Sequence, residues 1–328
     1  MLSAIIVAVF LGFKIMVQPP EQTPSNTPKP PVVSGDTSNQ GDGSGGSDSS
    51  QLEQGLKRRE GVYTVLLAAT DKDGFRTDTM MVLCYDVPNQ KVGVVSIPRD
   101  TLTVRASGKN PKLVYGSGGV EQRREDIADM LGVPIDYYVQ VNIKGFIALV
   151  DYLGGVNFYV PCDMDYDDPY QDLSIHFKEG TQHLDGQAMM EVARFRKNND
   201  GSGYSDVGRT QTQQKLLVTL AKKVLSWNSL SKLNGFVEIF NDYVKTDLEL
   251  EDMLYFASQA IYMDTSTGVE TATLEGRGDG VYRGYTYCYE LDQEKTVELV
   301  NQMINPFDGE LSPEDMNLAR AERYTGTG

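Results

Sequence analysis

Cysteine, histidine and tryptophan are scarce in this chain: its 328 residues include three, two and one of them. The cysteines, Cys84, Cys162 and Cys288, form no CxxC pair, which speaks against a zinc site. Cys84 falls in an apolar run and reads as a buried free thiol. A Cys162–Cys288 bridge stays open, because sequence alone does not pair cysteines. The histidines, His176 and His183, share one acidic stretch and lack the partner set that a histidine mechanism needs. Basic residues are outnumbered: 30 Lys and Arg against 46 Asp and Glu leave a formal charge of -16. That balance argues against nucleic acid as a partner, since polyanion binders carry a basic surface. There is no internal repeat and no helix-turn-helix pattern.

The N-terminal part is organised by composition. Residues 2–17, LSAIIVAVFLGFKIMV, are apolar apart from Ser3 and Lys14. The run is slightly shorter than the roughly 20 residues of a membrane span. MVQPP follows it in place of a small-residue cleavage site, so residues 1–17 read as an uncleaved, single-pass signal anchor. Residues 18–50 are rich in Pro, Ser, Gly, Thr and Asp, a composition that cannot bury a core. The expected linker, 18–56, is a disordered tether with an r.m.s. span of roughly 35 Å. The folded domain is expected over 57–308, with a short C-terminal tail at 309–328.

Within that domain strands and helices alternate. VYTVLLAAT (62–70), TMMVLCYD (79–86) and VGVVSI (92–97) read as strands buried on both faces. A helix is expected at 121–131, a strand at 137–142, a helix at 144–153 and a strand at 156–160. Helices follow at 184–196, 210–227, near 230–240 and at 250–263. Strands near 269–274 and 284–290 and a helix at 292–304 close the series. This order implies an α/β sheet with helices on both faces. The acidic run Asp163, Asp165, Asp167 and Asp168 invites a calcium loop. Asp168 and Ser174 stand where an EF-hand needs Gly and Glu, so the run reads as a solvated loop.

The residues that could carry chemistry are arginines and aspartates at the edges of apolar segments. Asp71 ends the first strand, and Arg76 and Asp78 precede the second. Arg99 and Asp100 follow the third strand, where Pro98 fixes the direction of the exit. Arg194 and Arg196 can face one ligand only if their helix ends there, and NNDGSGYSD follows at once. Arg209 opens the next helix, with Gln213 one turn on along the same face. Guanidinium forks match phosphate oxygens bidentately. A carboxylate pair with substrate phosphates is the usual setting of Mg2+. Together the set suits a diphosphate and a divalent cation.

These residues resemble the LytR–CpsA–Psr family of bacterial cell-wall glycopolymer transferases. The matching pieces are LLAATD, FRTDTMM, VVSIPRDTLTV, GVPIDYYVQVNIKGF, LVDYLGGVNFYV, the long run ending in RFR, and DVGRTQTQQ. They stand in family order, and LEGRGDGVYRGYTYCYELDQEKTVELVNQM is similar to the family's closing segment. The resemblance implies a central mixed β-sheet flanked by helices on both faces. It implies transfer of a phosphorylated glycopolymer from undecaprenyl pyrophosphate to peptidoglycan, outside the cell membrane, with a phosphodiester as product. It assigns catalysis to Asp71, Asp78 and Arg99. It assigns pyrophosphate binding to Arg76, Arg99, Arg194, Arg196, Arg209 and Gln213, and Mg2+ or Mn2+ to Asp71 and Asp78. Two positions depart from the pattern. Thr212 stands where a basic residue is common, which would take away one phosphate contact, and Ala69 stands where a glycine is usual. The remaining alternatives are a non-catalytic polyprenyl-pyrophosphate binder and a lipid pyrophosphatase, which no motif separates from a transferase.

Overall fold

Nearly unbroken apolar and β-branched sequence makes β1 (Val62–Thr70), and runs of the same character make β2 (Thr77–Asp86) and β3 (Lys91–Ile97). In chain order follow α1 (Gly119–Leu131), β4 (Tyr137–Asn142), α2 (Ile143–Tyr152), β5 (Val156–Val160), β6 (Met164–Asp168), β7 (Leu173–Phe177), β8 (Gly180–Leu184), α3 (Gly186–Arg194) and α4 (Asp206–Leu225). The remainder is β9 (Val244–Thr246), α5 (Leu250–Ala260), β10 (Val269–Thr273), β11 (Gly276–Tyr282), β12 (Tyr285–Leu291), α6 (Gln293–Met303) and β13 (Arg323–Tyr324). The computed structural model describes residues 18–23, 56–71, 77–104, 110–115, 119–170, 173–203, 206–225, 239, 242–260, 262–264 and 267–326. The anchor at 1–17, most of the linker, Arg76, and all but Ile239 of the helix expected near 230–240 lie outside these residues. Among the described residues no helix is long and apolar enough to cross a membrane.

The principal sheet has six strands in the order β10-β3-β2-β1-β4-β9. It is mixed: β10–β3 and β1–β4 are parallel, whereas β3–β2, β2–β1 and β4–β9 are antiparallel. Because side chains alternate across a strand, β1 feeds two cores. Val62, Leu66 and Ala68 pack with Ile127 and Met130 of α1 and Val300 of α6. Tyr63 and Val65 pack with Leu217 of α4 and Tyr255 and Phe256 of α5. The Tyr63 and Phe256 rings meet edge to face, with centroids 5.0 Å apart. At Gly93 an added Cβ would lie 2.1 Å from the Met303 carbonyl oxygen, so only glycine lets the end of α6 lie this close to β3.

A third core joins α2, α3 and α4 to the two-stranded ladders β5–β8 and β6–β7, around Val150, Phe158, Ile175, Met189 and Phe195. This corrects the loop expected at 163–168, which is strand β6. Met164 is buried while Asp165 and Asp167 face water, a period-2 pattern hidden by the charge of the outer residues. A three-stranded sheet, β12-β11-β13, completes the molecule. β11 was not expected, because GRGDG is a poor strand sequence.

Residues 18–23 and the C-terminal segment both make contacts with the domain that their composition does not suggest. Residues 18–23 lie along the start of β1. The Gln22 side-chain amide donates to the carbonyls of Arg59 (3.0 Å) and Val62 (2.7 Å), and Thr23 N donates to Asp136 Oδ1 (2.8 Å). Tyr137 donates to the Glu21 carbonyl at 2.7 Å. The expected tail carries the buried Leu311, Met316 and Ala319 and ends in β13, so it belongs to the fold. The three cysteines are free. Cys162 packs against the third core and Cys288 lies in the core under the small sheet, so the bridge left open from sequence is not made.

Candidate active site

β1, β3, β4 and β10 run in one direction, so their carboxyl ends share one edge of the principal sheet, together with the start of β2. Such an edge is where open α/β sheets present ligand groups. Asp71 follows β1 and is half-buried there. Asp78 is the second residue of β2, beside it across the bulged end of the β1–β2 ladder. Arg99 leaves β3 through Pro98, and its Nη1 donates to Asp78 Oδ1 at 2.7 Å. The pair is open to solvent, with the side chains 26% and 42% exposed. Its contribution to stability is therefore small, and its effect is to aim the guanidinium.

The turn that carries Arg99 is fixed by its backbone. Thr101 N and Oγ1 both donate to the Pro98 carbonyl, at 3.0 and 2.6 Å. The Arg99 carbonyl accepts from Val114 N and the Asp100 carbonyl from Tyr289 N, each at 2.9 Å. Lys112 Nζ stands 3.3 Å from Asp100 Oδ1, adding a cation that the sequence reading missed. Nothing in KNPKL marked it, because the contact depends on the turn at 98–101.

Gln213 ties this edge to the arginine-bearing helices. Its Nε2 donates to the Ala193 carbonyl at 3.0 Å, and its Oε1 accepts from Thr79 Oγ1 at 3.4 Å. Ala193 precedes Arg194, and Thr79 follows Asp78. The side chain expected to bind pyrophosphate thus also acts as a strut between α3 and β2. Arg209 is one helical turn earlier on α4, near an N-terminus whose free N–H groups favour anions. The buried Gln214, not singled out from sequence, donates to Ser96 Oγ (2.9 Å) and the Ala272 carbonyl (2.7 Å). It fixes α4 against β3 and β10. Thr212 is also buried, so the position that departs from the family pattern faces the interior.

α3 ends at Arg194, as the two-residue spacing required. Phe195 takes ψ 135° and is fully buried, placing Arg194 and Arg196 on either side of an anchored residue. Beyond Arg196 the chain is laid along β6. Asp165 N donates to Asn198 Oδ1 (2.7 Å), Asp167 N to Asn199 Oδ1 (3.0 Å), and Asn199 N to the Asp165 carbonyl (2.8 Å). The two asparagine amides stand in for a strand edge and hold the exit of the arginine segment.

Among the described residues, Asp71 and Asp78 are two carboxylates at this edge that could hold a divalent cation, while Asp100 faces Arg99 and Lys112. A carboxylate pair suits Mg2+ that completes its shell with phosphate and water. Among the described residues, one group of three ligand side chains converges elsewhere: Asp165, Asp167 and His176, all exposed. Their atoms already engage one another. His176 Nδ1 is 2.8 Å from Asp165 Oδ1, and Nε2 is 3.3 Å from Asp167 Oδ1. The hydrogen bond to Asp165, helped by the charge of Asp167, raises the imidazole above its ordinary value. His183 instead contacts Asn157 Oδ1 at 3.1 Å, away from these acids.

Comparison with known proteins gives the chain relatives. The model of the LytR_cpsA_psr family matches residues 34–305. A Bacillus anthracis protein named polyisoprenyl-teichoic acid–peptidoglycan teichoic acid transferase TagU is 32% identical over 261 residues, which cover 78% of this chain and 82% of that protein. Its namesake TagV from Bacillus subtilis is 32% identical over 231 residues, 68% of this chain and 58% of TagV. The crystal structure of B. subtilis TagV superposes with a TM-score of 0.61 at 25% identity, covering 74% of this chain and 95% of that one. A structure described as TagT bound to LI-WTA superposes at 0.58 with 25% identity, covering 74% and 91%.

Proposed function

This chain belongs to the LytR–CpsA–Psr family, and we propose that it transfers a phosphorylated glycopolymer, of the teichoic acid class or similar, from an undecaprenyl-pyrophosphate carrier to peptidoglycan. The observation that carries this reading is the link running from Arg99–Asp78 through Thr79 and Gln213 to the backbone beside Arg194. It ties β2, β3, α3 and α4 together at one edge, which supports a shared role for the arginines they carry. The names of TagU and TagV, and the TagT complex, support the substrate class.

Phosphoryl transfer asks a protein mainly for positioning and charge stabilisation. Arg76, Arg99, Arg194, Arg196 and Arg209 would hold the pyrophosphate oxygens, with Gln213 as strut and contact. Asp71 and Asp78 would hold Mg2+ or Mn2+, which supplies charge neutralisation on the phosphates when bound. One of these two carboxylates accepts the proton of the incoming sugar hydroxyl as its oxygen attacks phosphorus. The bond from that phosphorus to the bridging pyrophosphate oxygen breaks, and the lipid phosphate leaves. Asp78 keeps Arg99 aimed at the developing charge. Residues 1–17 would anchor the chain in the cell membrane, with the domain outside.

The test incubates the chain with a synthetic polyprenyl-pyrophosphate glycan, peptidoglycan oligomers and Mg2+, beside an Asp78→Ala control. Metal-dependent, phosphodiester-linked product that the control lacks is the expected mass-spectrometric result. Donor that is bound but unchanged would replace the transferase with a binder. Donor cleaved equally well without peptidoglycan would make it a pyrophosphatase.

A further inference from the structure

We propose that the outer part of the β11–β12 hairpin docks the acceptor, a glycan strand of peptidoglycan, beside Arg99. This rests on the transferase reading and adds to it where the second substrate sits. The hairpin exposes Tyr285 and Tyr287, 40% and 63% accessible. Exposed aromatics grouped on one element mark interaction surfaces. Tyr offers a rigid ring face for the C–H side of a sugar and a hydroxyl for its polar edge.

The backbone here is unusual. Arg283 (φ 48°) and Gly284 (φ 81°) form the ordinary two-residue turn between the paired Tyr282 and Tyr285, but Tyr287, at φ 55°, is left-handed within β12. Left-handed conformations within a strand are uncommon in bulky residues and concentrate at binding sites. The strand is nevertheless held firmly at its inner end. Tyr289 N donates to the Asp100 carbonyl and Leu102 N to the Tyr289 carbonyl, both at 2.9 Å. Cys288 is fully buried with Leu102. The residue next to Arg99 is thus bonded to the strand that carries both tyrosines.

Two further observations select the acceptor over the donor. Phosphoryl transfer puts the attacking and leaving oxygens roughly in line, on opposite sides of phosphorus. α4, which bears Arg209 and Gln213, packs on one face of the principal sheet. Tyr289 and Leu291 of β12, with α6, pack on the other. Arg209 and Gln213 would reach the pyrophosphate from the α4 face, so an acceptor on β12 would approach from the opposite face, past Arg99. In addition, residues 280–289 include no carboxylate and one arginine, Arg283, within a chain of formal charge -16. A wall polymer whose peptides carry carboxylates is not repelled at this tip.

The test uses the full chain with Tyr285→Ala/Tyr287→Ala, and Tyr285→Phe/Tyr287→Phe as the ring-retaining control. Sacculi stripped of protein and teichoic acid serve in co-sedimentation, which needs no donor. Muropeptide oligomers serve in transfer kinetics. The alanine pair should lower co-sedimentation and raise the acceptor KM at least about tenfold, because stacking and hydrogen bonding are lost together. Its kcat at saturating acceptor, its donor KM and its Tm should stay near wild type, and the phenylalanine pair should keep most of the binding. Unchanged co-sedimentation and acceptor KM would overturn the docking site. So would a parallel loss of donor affinity, which would show a merely structural role. Tyrosine-dependent sedimentation by a chain that transfers nothing would uphold the docking site while removing the transferase reading.

Discussion

Replacing Arg99 by alanine separates the site from the scaffold. The Arg99–Asp78 ion pair is 26% and 42% exposed. A pair so open to water is worth about 0–1 kcal/mol. The bonds that hold the turn use the carbonyls of Pro98, Arg99 and Asp100, and the substitution leaves them in place. A loss of about 1 kcal/mol in a domain of this size moves Tm by about 2–4 °C. Turnover should respond on a different scale, since one preorganised donor aimed at transition-state charge contributes about 10²–10³ in rate. Arg99→Ala is therefore expected to lose at least about a hundredfold in kcat with Tm almost unchanged. Arg99→Lys should recover part of the loss, because it restores the charge but not the planar fork. Single-turnover transfer of a labelled lipid-linked glycan and a thermal melt of the same preparation give both numbers. A wild-type rate, or a Tm lowered by more than about 8 °C, would refute the reasoning.

Other substitutions probe the frame. Asp136→Ala should destabilise the chain by about 3–5 kcal/mol in urea titrations, because it strands the buried Arg58 guanidinium with which Asp136 pairs. It also removes the acceptor of Thr64 N and Thr23 N, so residues 18–23 should become accessible to protease. Gln214→Leu should cost about 1–3 kcal/mol, since Ser96 Oγ and the Ala272 carbonyl lose a buried donor. Its transfer rate should fall as α4 loosens from β3. His176 sets a pH dependence. Its folded value lies above the ordinary 6.5, so its stabilising contribution is full below that pH and is lost as pH rises through the raised value. Amide exchange in β6 and β7 should quicken across that interval, and His176→Gln should remove the step.

The central strands of the principal sheet were legible because burial on both faces writes long apolar runs, as in VYTVLLAAT and VGVVSI, whereas its three-residue strand β9 was not. The ending of α3 at Arg194 was legible for a similar local reason: a helix former gives way to NNDGSG. Elements on the surface were not. β6 was hidden by its outward aspartates and β11 by its glycines. The order of residues 18–23 comes from bonds to Arg59, Val62 and Asp136, which no local composition foretells.

The same division holds at the site. Residue type and position at strand and helix ends determined which arginines and aspartates to suspect, because phosphate chemistry needs those groups whatever the fold. Only the tertiary structure decided that Asp78 aims Arg99, that Lys112 reaches Asp100, and that Gln213 joins Thr79 to Ala193. Each of these contacts is a few ångströms long between residues far apart in the chain. Their distance is set by sheet register and helix packing, which sum over many side chains and leave no mark at the two that meet.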